Sequence, residues 1–215
     1  MERIMTTDLP EFDRQVRLHR YITYGRERGH EERWLEYKST MNWKDNATKG
    51  KIGKAIAAMS NIENGGVIAV GVNPQTYEPD GMASEDAASF DQDTMSEWLN
   101  DKLEPEAQFH VNHLWFEGKQ FVVIEVQEFT DVPLICRRPL PGQLKEGAIY
   151  IRGKGKYESA QIATQSDMRD LIRLATDKAL AKEIARLRKL GLIPLVEERP
   201  WVEHERMFEE EREGL

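Results

Sequence analysis

The chain has 215 residues, 40% of them hydrophobic and 32% charged, and a formal net charge of −8. That is room for one substantial core with a helical appendage, or for two small domains. No apolar run approaches the ~20 residues of a membrane span, the opening MERIMTTDLPEF has no apolar segment of the kind a secretory signal needs, and the single cysteine, Cys136, excludes an intramolecular disulfide or a cysteine-rich zinc cage.

Residues 11–28 read as an amphipathic helix with Phe12 and Val16 four apart, and Leu18 and Ile22 likewise; Gly29 ends it. Residues 33–38 read as a strand. The segment 48–62, TKGKIGKAIAAMSNI, reads as a helix with an apolar stripe of Ile52, Ala55, Ile56 and Met59 and with Thr48 as its cap. After the turn Asn64-Gly65-Gly66, the continuous apolar run 67–72 predicts a central strand buried on both faces. A Pro/Asp/Gly loop over 73–82 leads to a helix over 92–103, with Met95, Trp98 and Leu99 inward and Pro105 closing the segment. The runs 109–116 and 121–127 flank Glu117-Gly118 as a hairpin. Segments 132–136 and 148–152 add strands on either side of a Pro/Gly-rich excursion. A long helix over 164–189 opens with the capping pattern Thr164-x-x-Asp167. The order predicts an α+β fold, a mixed β-sheet with flanking helices and a long C-terminal helix.

Charge is unevenly spread. Residues 194–215 hold eight acids and three arginines, so this tail contributes −5 of the −8. Within the remainder, 137–156 holds six basic residues and one acid, and 178–190 holds five and one. Overall acidity argues against a phosphate-binding protein, and the local basic runs argue back.

Several motifs fail on their own terms. GKIGKA (50–55) has Thr48 where a P-loop needs its first glycine and Ala55 where it needs Ser or Thr. GKGK (153–156) lacks the third glycine of a dinucleotide fingerprint. His110 and His113, three apart on a strand, point to opposite faces and make a poor metal pair. No serine elbow or cysteine–histidine pair is present.

The stretch EERWLEYKS (31–39) poses the main question. On a strand, Trp34, Glu36 and Lys38 share one face while Leu35 and Tyr37 share the core face. A buried carboxylate costs several kcal/mol, roughly, unless a cation meets it. Glu36 therefore either pairs with Lys38 on a solvated face or meets another cation. Arg152, Lys154 and Lys156 alternate with Gly153 and Gly155, a strongly basic strand end suited to phosphate contact. The same residues also suit an ordinary solubilising turn. Lys51 and Lys54 share one helix face, where solvent is the simpler expectation. For Arg186, Arg188 and Lys189 the helix dipole is explanation enough.

Three segments in this order and spacing, ERWLEYK (32–38), AIAAMSNIENGGVIAVGVN (55–73) and GAIYIRGKGKYESA (147–160), resemble the Schlafen AlbA_2 domain. The resemblance covers roughly residues 31–175. It implies nucleic-acid binding through a basic groove, with Lys38, Lys51, Lys54, Arg152, Lys154 and Lys156 as phosphate contacts and RNA slightly ahead of DNA. It also implies an alternative, a divalent-metal-dependent endoribonuclease acting on tRNA- or rRNA-like substrates. Glu31 and Glu36 have the spacing of two of that reaction's carboxylates, and Lys38 accompanies them as a catalytic candidate. Mg²⁺ or Mn²⁺ would then be the cofactor, held by Glu31, Glu36 and Asn73. The third carboxylate of such a set is missing, since Gly71-Val72-Asn73-Pro74-Gln75 offers no acid before Glu78 and Asp80. Binding is therefore preferred to cleavage.

A third class is a protein-interaction or oligomeric scaffold, with helix 164–189 presenting Met168, Leu171, Ile172, Ala175, Ala179, Ile184 and Leu187 to a second copy. The expected organisation is an N-terminal helical arm (1–30), an AlbA_2-like core (31–163), a closing helix (164–193) and an acidic tail (194–215) that competes with nucleic acid for the groove. A cytoplasmic location with no membrane partner completes these expectations.

Overall fold

The structure, a computed structural model, describes residues 11–155 and 157–192. Its first element is α1 (Glu11–Arg28). Leu18, Tyr21 and Ile22 form its buried stripe. The expected apolar pair further up does not extend that stripe, for Val16 is 43% exposed. The inward face there is polar instead: Arg14 donates to Asn112 Oδ1 at 2.5 Å and Arg17 pairs with Glu125 at 3.1 Å. Gly29, at φ +76°, ends the helix, with its N–H bonded to Gly25 O at 2.7 Å.

A four-stranded mixed sheet follows, in the order β1-β2-β5-β4. β1 (Leu35–Lys38) and β2 (Gly66–Val70) are parallel. Parallel neighbours need a crossover, and α2 (Asn46–Ser60) supplies it. β4 (Phe109–Phe116) and β5 (Lys119–Val126) form the expected hairpin, and β5 runs antiparallel to β2. Every residue of β2 is buried, as its continuous apolar run predicts.

α2 begins two residues earlier than its sequence suggests. Asp45 holds the N-cap position and Thr48 lies inside the first turn, buried. The glycines of GKIGKA serve packing. A Cβ at Gly53 would come within 2.8 Å of the Trp98 ring, and one at Gly50 within 2.4 Å of Gln143.

The remaining elements are shorter. α3 (Ser84–Ala88) precedes α4 (Gln92–Lys102), whose Asp91 cap accepts from the Thr94 N–H at 2.9 Å. β3 (Leu103–Glu104) pairs with β6 (Ile135–Cys136), and β7 (Tyr150–Arg152) pairs with β8 (Ser159–Gln161). α3, β3 and β8 are too short to leave a periodic signal. α5 (Gln165–Lys189) opens as predicted, with the Thr164 hydroxyl accepting from the Asp167 N–H at 3.0 Å.

Strand alternation divides the core. Leu35, Tyr37, Val67, Ala69 and Val123 pack with Leu18 and Ile22 of α1. Ile68, Val70 and Ile124 face the other way, onto Ile52 and Ile56 of α2 and onto Ile151 of β7. The chain divides into two compact units within α5, after Thr176. The first carries the sheets, α1 to α4 and the start of α5, where Leu171 is buried. Of the second, the described part is the remainder of α5 and the turn to Leu192. The acidic tail 194–215 lies outside the described residues.

Candidate nucleic-acid interface

Glu36 stands in the middle of β1, on the side of the sheet that carries α2 and β7, because its neighbours Leu35 and Tyr37 take the α1 side. It is only 5% exposed, so its charge requires partners. It has three. Arg152 Nη1 lies 2.5 Å from Oε2, the Ser159 hydroxyl donates to the same oxygen at 2.8 Å, and the Lys38 ammonium ion-pairs with Oε1. Burial alone would raise the carboxyl's pKa, but Lys38 and Arg152 together outweigh it and hold the group below the usual carboxylate range.

Arg152 is the centre of this arrangement. Its side chain is wholly buried. Beyond Glu36 it reaches Glu31 Oε2 at 3.2 Å, the carbonyls of Glu32 and Leu35 at 3.2 Å each, and the carbonyl of Arg33 at 2.9 Å. Arg33 Nε answers by donating to Arg152 O at 2.7 Å. A guanidinium offers five N–H donors in a planar fork, and here all three nitrogens are engaged. The expectation that Arg152 contacts phosphate therefore fails in this arrangement. β7 is buried at each of its three positions, so its arginine turns inward to a carboxylate.

Glu31 reaches Glu36's neighbourhood because the chain turns between Glu32 and Leu35, whose N–H bonds Glu32 O at 3.1 Å. Its other carboxylate oxygen accepts the Tyr37 N–H at 2.9 Å. Burial raises the Glu31 carboxyl above its ordinary value, against the lowering pull of that N–H and of Arg152. Two carboxylates thus face two cations, and the group is charge-balanced.

Asn73 is used elsewhere. Its Oδ1 accepts the N–H groups of Gln75 at 2.9 Å and Thr76 at 3.2 Å, and its amide nitrogen approaches Asp80 at 3.4 Å. That is an Asx turn. Among the described residues no group of three or more His, Cys, Asp or Glu side chains could hold a metal ion. Glu31, Glu36 and Asn73 as placed here do not fit a divalent cation, because arginine, lysine and backbone N–H groups already take the oxygens a metal would need.

The other basic candidates lie nearer solvent. Lys51 is exposed and Lys54 half-buried, with its ammonium 5.8 Å from the centre of the Tyr150 ring. Lys154 follows at the far end of β7, 58% exposed, and its Nζ lies 2.6 Å from Asp170 of α5. Lys38 keeps part of its side chain in solvent while paired to Glu36. Lys156 lies outside the described residues. Sequence reasoning missed three contributors. Lys145 is exposed, and its backbone N–H donates to the Tyr150 hydroxyl at 2.7 Å. Ser159 completes the shell around Glu36, and Arg33 holds β7 in place. Ser159 and Arg33 carry no local signal, since each acts through a partner distant in sequence; Lys145 lies within the basic run 137–156.

His110 and His113 lie apart, as expected of their spacing. His110 Nε2 is 2.7 Å from Arg14 Nη2, and His113 Nε2 is 3.0 Å from Phe90 O.

Against this geometry, the family described as Schlafen, AlbA_2 matches residues 31–161. No curated protein sequence matches the chain. Among solved structures, the DIP2311 protein from Corynebacterium diphtheriae superposes with a TM-score of 0.50 at 12% identity, over 74% of this chain and 28% of that longer one. The N-terminal domain of a protein described as ATP-dependent DNA helicase RecG-related, from Nitrosomonas europaea, gives 0.40 at 20% identity, over 67% of this chain and 91% of that domain. At 12% identity the first of these likenesses speaks to the fold alone. No described helix is long and apolar enough to cross a membrane.

Proposed function

This chain belongs to the Schlafen AlbA_2 family, and from that premise we propose that it binds nucleic acid through the lysines around α2, β7 and the end of β1. The observation that carries this reading is the basic face around Tyr150: Lys54 has its ammonium 5.8 Å from that ring's centre, Lys51 lies one turn away on α2, and Lys154 follows just past the end of the strand that holds Tyr150. Flexible ammonium groups with solvent on one side suit phosphate, which needs charge rather than fixed geometry. RNA is the ligand favoured ahead of DNA.

Binding rather than cleavage is the activity assigned. Glu31 and Glu36 are neutralised internally by Arg152 and Lys38, which favours a structural role for them. Arg152 acts in this reading as a positioning residue, tying the 31–36 segment to β7.

The test is fluorescence anisotropy with labelled tRNA and single-stranded DNA over a salt series, in Mn²⁺ and in EDTA. Salt-sensitive binding without cleavage is expected in both. Lys51→Ala combined with Lys54→Ala should weaken binding across all sequences and flatten the salt dependence by a slope of about 1 to 2. Cleavage that requires Mn²⁺ and disappears in Glu36→Gln would replace this reading with the endoribonuclease. Absence of salt-sensitive binding would remove nucleic acid altogether.

A further inference from the structure

β7 ends at Arg152 and β8 begins at Ser159, its register partner. Both residues bond Glu36 from above, so the hairpin stands on a fixed base. The described residues of the connection include Lys154, Gly155 and Tyr157. A Cβ added at Gly155 would meet nothing within 4 Å, so there is open space at that position. Tyr157 is 39% exposed, and Lys154 stands close by in sequence with a side chain 58% exposed.

From this we infer that the β7–β8 hairpin is a single-strand contact, in which Tyr157 stacks on an unpaired base while Lys154 takes a neighbouring phosphate. The inference rests on the nucleic-acid reading above and narrows its ligand to unpaired nucleotides. A π-face with a lysine beside it is the pairing by which single-stranded nucleic acid is held without sequence preference, since every base offers a face and every nucleotide a phosphate. A regular duplex keeps its bases stacked on one another and cannot offer one to Tyr157. Lys154 is now paired with Asp170 of α5; the lysine side chain is 58% exposed, while the Asp170 oxygen it meets is buried. An ammonium on a flexible four-carbon stem can exchange that carboxylate for a phosphate.

The experiment compares a fluorescein-labelled single-stranded 12-mer RNA, its DNA equivalent and the corresponding duplexes, at low salt. The proteins are the full chain and its Tyr157→Ala, Tyr157→Phe and Asp170→Asn variants. Wild type should favour single strands. Tyr157→Ala should lose about 5- to 150-fold in single-strand affinity and leave duplex affinity unchanged, the range one base–aromatic stack supplies. Tyr157→Phe, which keeps the ring, should stay within about twofold of wild type. Asp170→Asn should tighten binding by freeing Lys154. Unchanged single-strand affinity in Tyr157→Ala, beside intact wild-type binding, overturns the hairpin inference and leaves the basic-face reading standing. A wild-type preference for duplex does the same. No gain in Asp170→Asn overturns the role given to Lys154. Wild type that binds none of the probes overturns both readings together.

Discussion

At the scale of single residues, Glu36 and Glu31 respond to acid with opposite signs. The Glu36 carboxyl sits below its ordinary value in the folded chain. Its contribution to stability is therefore complete above the unfolded pKa and is lost as pH falls through the folded one. Glu31 sits above its ordinary value. Ionising it works against folding, so falling pH removes that cost between the ordinary and the raised value. Denaturant unfolding from neutral pH to about pH 3 should separate the two. The stability gap between wild type and Glu36→Gln should narrow as pH drops. Against Glu31→Gln, wild type should gain ground over the upper part of the same range. Parallel slopes for the two variants would contradict the assigned environments. Arg152 offers a sharper case. Arg152→Met fills similar volume but removes the guanidinium that Glu31 and Glu36 share, leaving Lys38 beside Glu36; this should cost about 3–5 kcal/mol, the range for breaking a buried ion pair. Circular dichroism melts would detect a loss that large.

At the scale of elements, most helices and strands follow local pattern. α1 spans the predicted 11–28, and the β4–β5 hairpin forms about Glu117-Gly118 because both positions take positive φ. α5 begins where its capping pattern places it. Thr164→Ala should cost about 1 kcal/mol, the value of an N-cap oxygen. The glycines of α2 could not be understood from their own segment. Gly53→Ala ordinarily gains about 1 kcal/mol in a helix interior, but here the added methyl meets the Trp98 ring. The expected net result is a destabilisation of up to about 2 kcal/mol. Trp98→Ala should reverse the sign of the Gly53→Ala effect in a double-mutant cycle. If Gly53→Ala stabilises in the wild-type background, the close approach is not limiting.

For the whole molecule, net charge and the proposed binding surface point in opposite directions. The chain carries −8 overall, and −5 of that lies in residues 194–215, which fall outside the described residues. A polyanionic segment on the same chain repels a polyanionic ligand, or competes with it for the lysines. Truncation after Leu192 should therefore tighten nucleic-acid binding at low salt, with the difference fading as the Debye length shrinks below about 8 Å. Equal affinities for the full and truncated chains across the salt series would dispose of that competition.

The sequence by itself determined the α+β order of elements, the burial of β2, the start of α5 and the family, because these depend on residues a few positions apart. Periodicity, caps and turns are local and can be read without the fold. It also posed the question of Glu36, since a carboxylate between Leu35 and Tyr37 has to find a cation. What it could not do was choose that cation. Lys38 is visible two residues away, but Arg152 arrives from 116 positions along the chain, carried there by packing of β7 against α2. The charge of an arginine is the same on a surface and in a core. Only the tertiary structure decided that Arg152 pairs with Glu36 and Glu31 inside the protein while Lys51 of α2 and Lys154 past the end of β7 stay exposed.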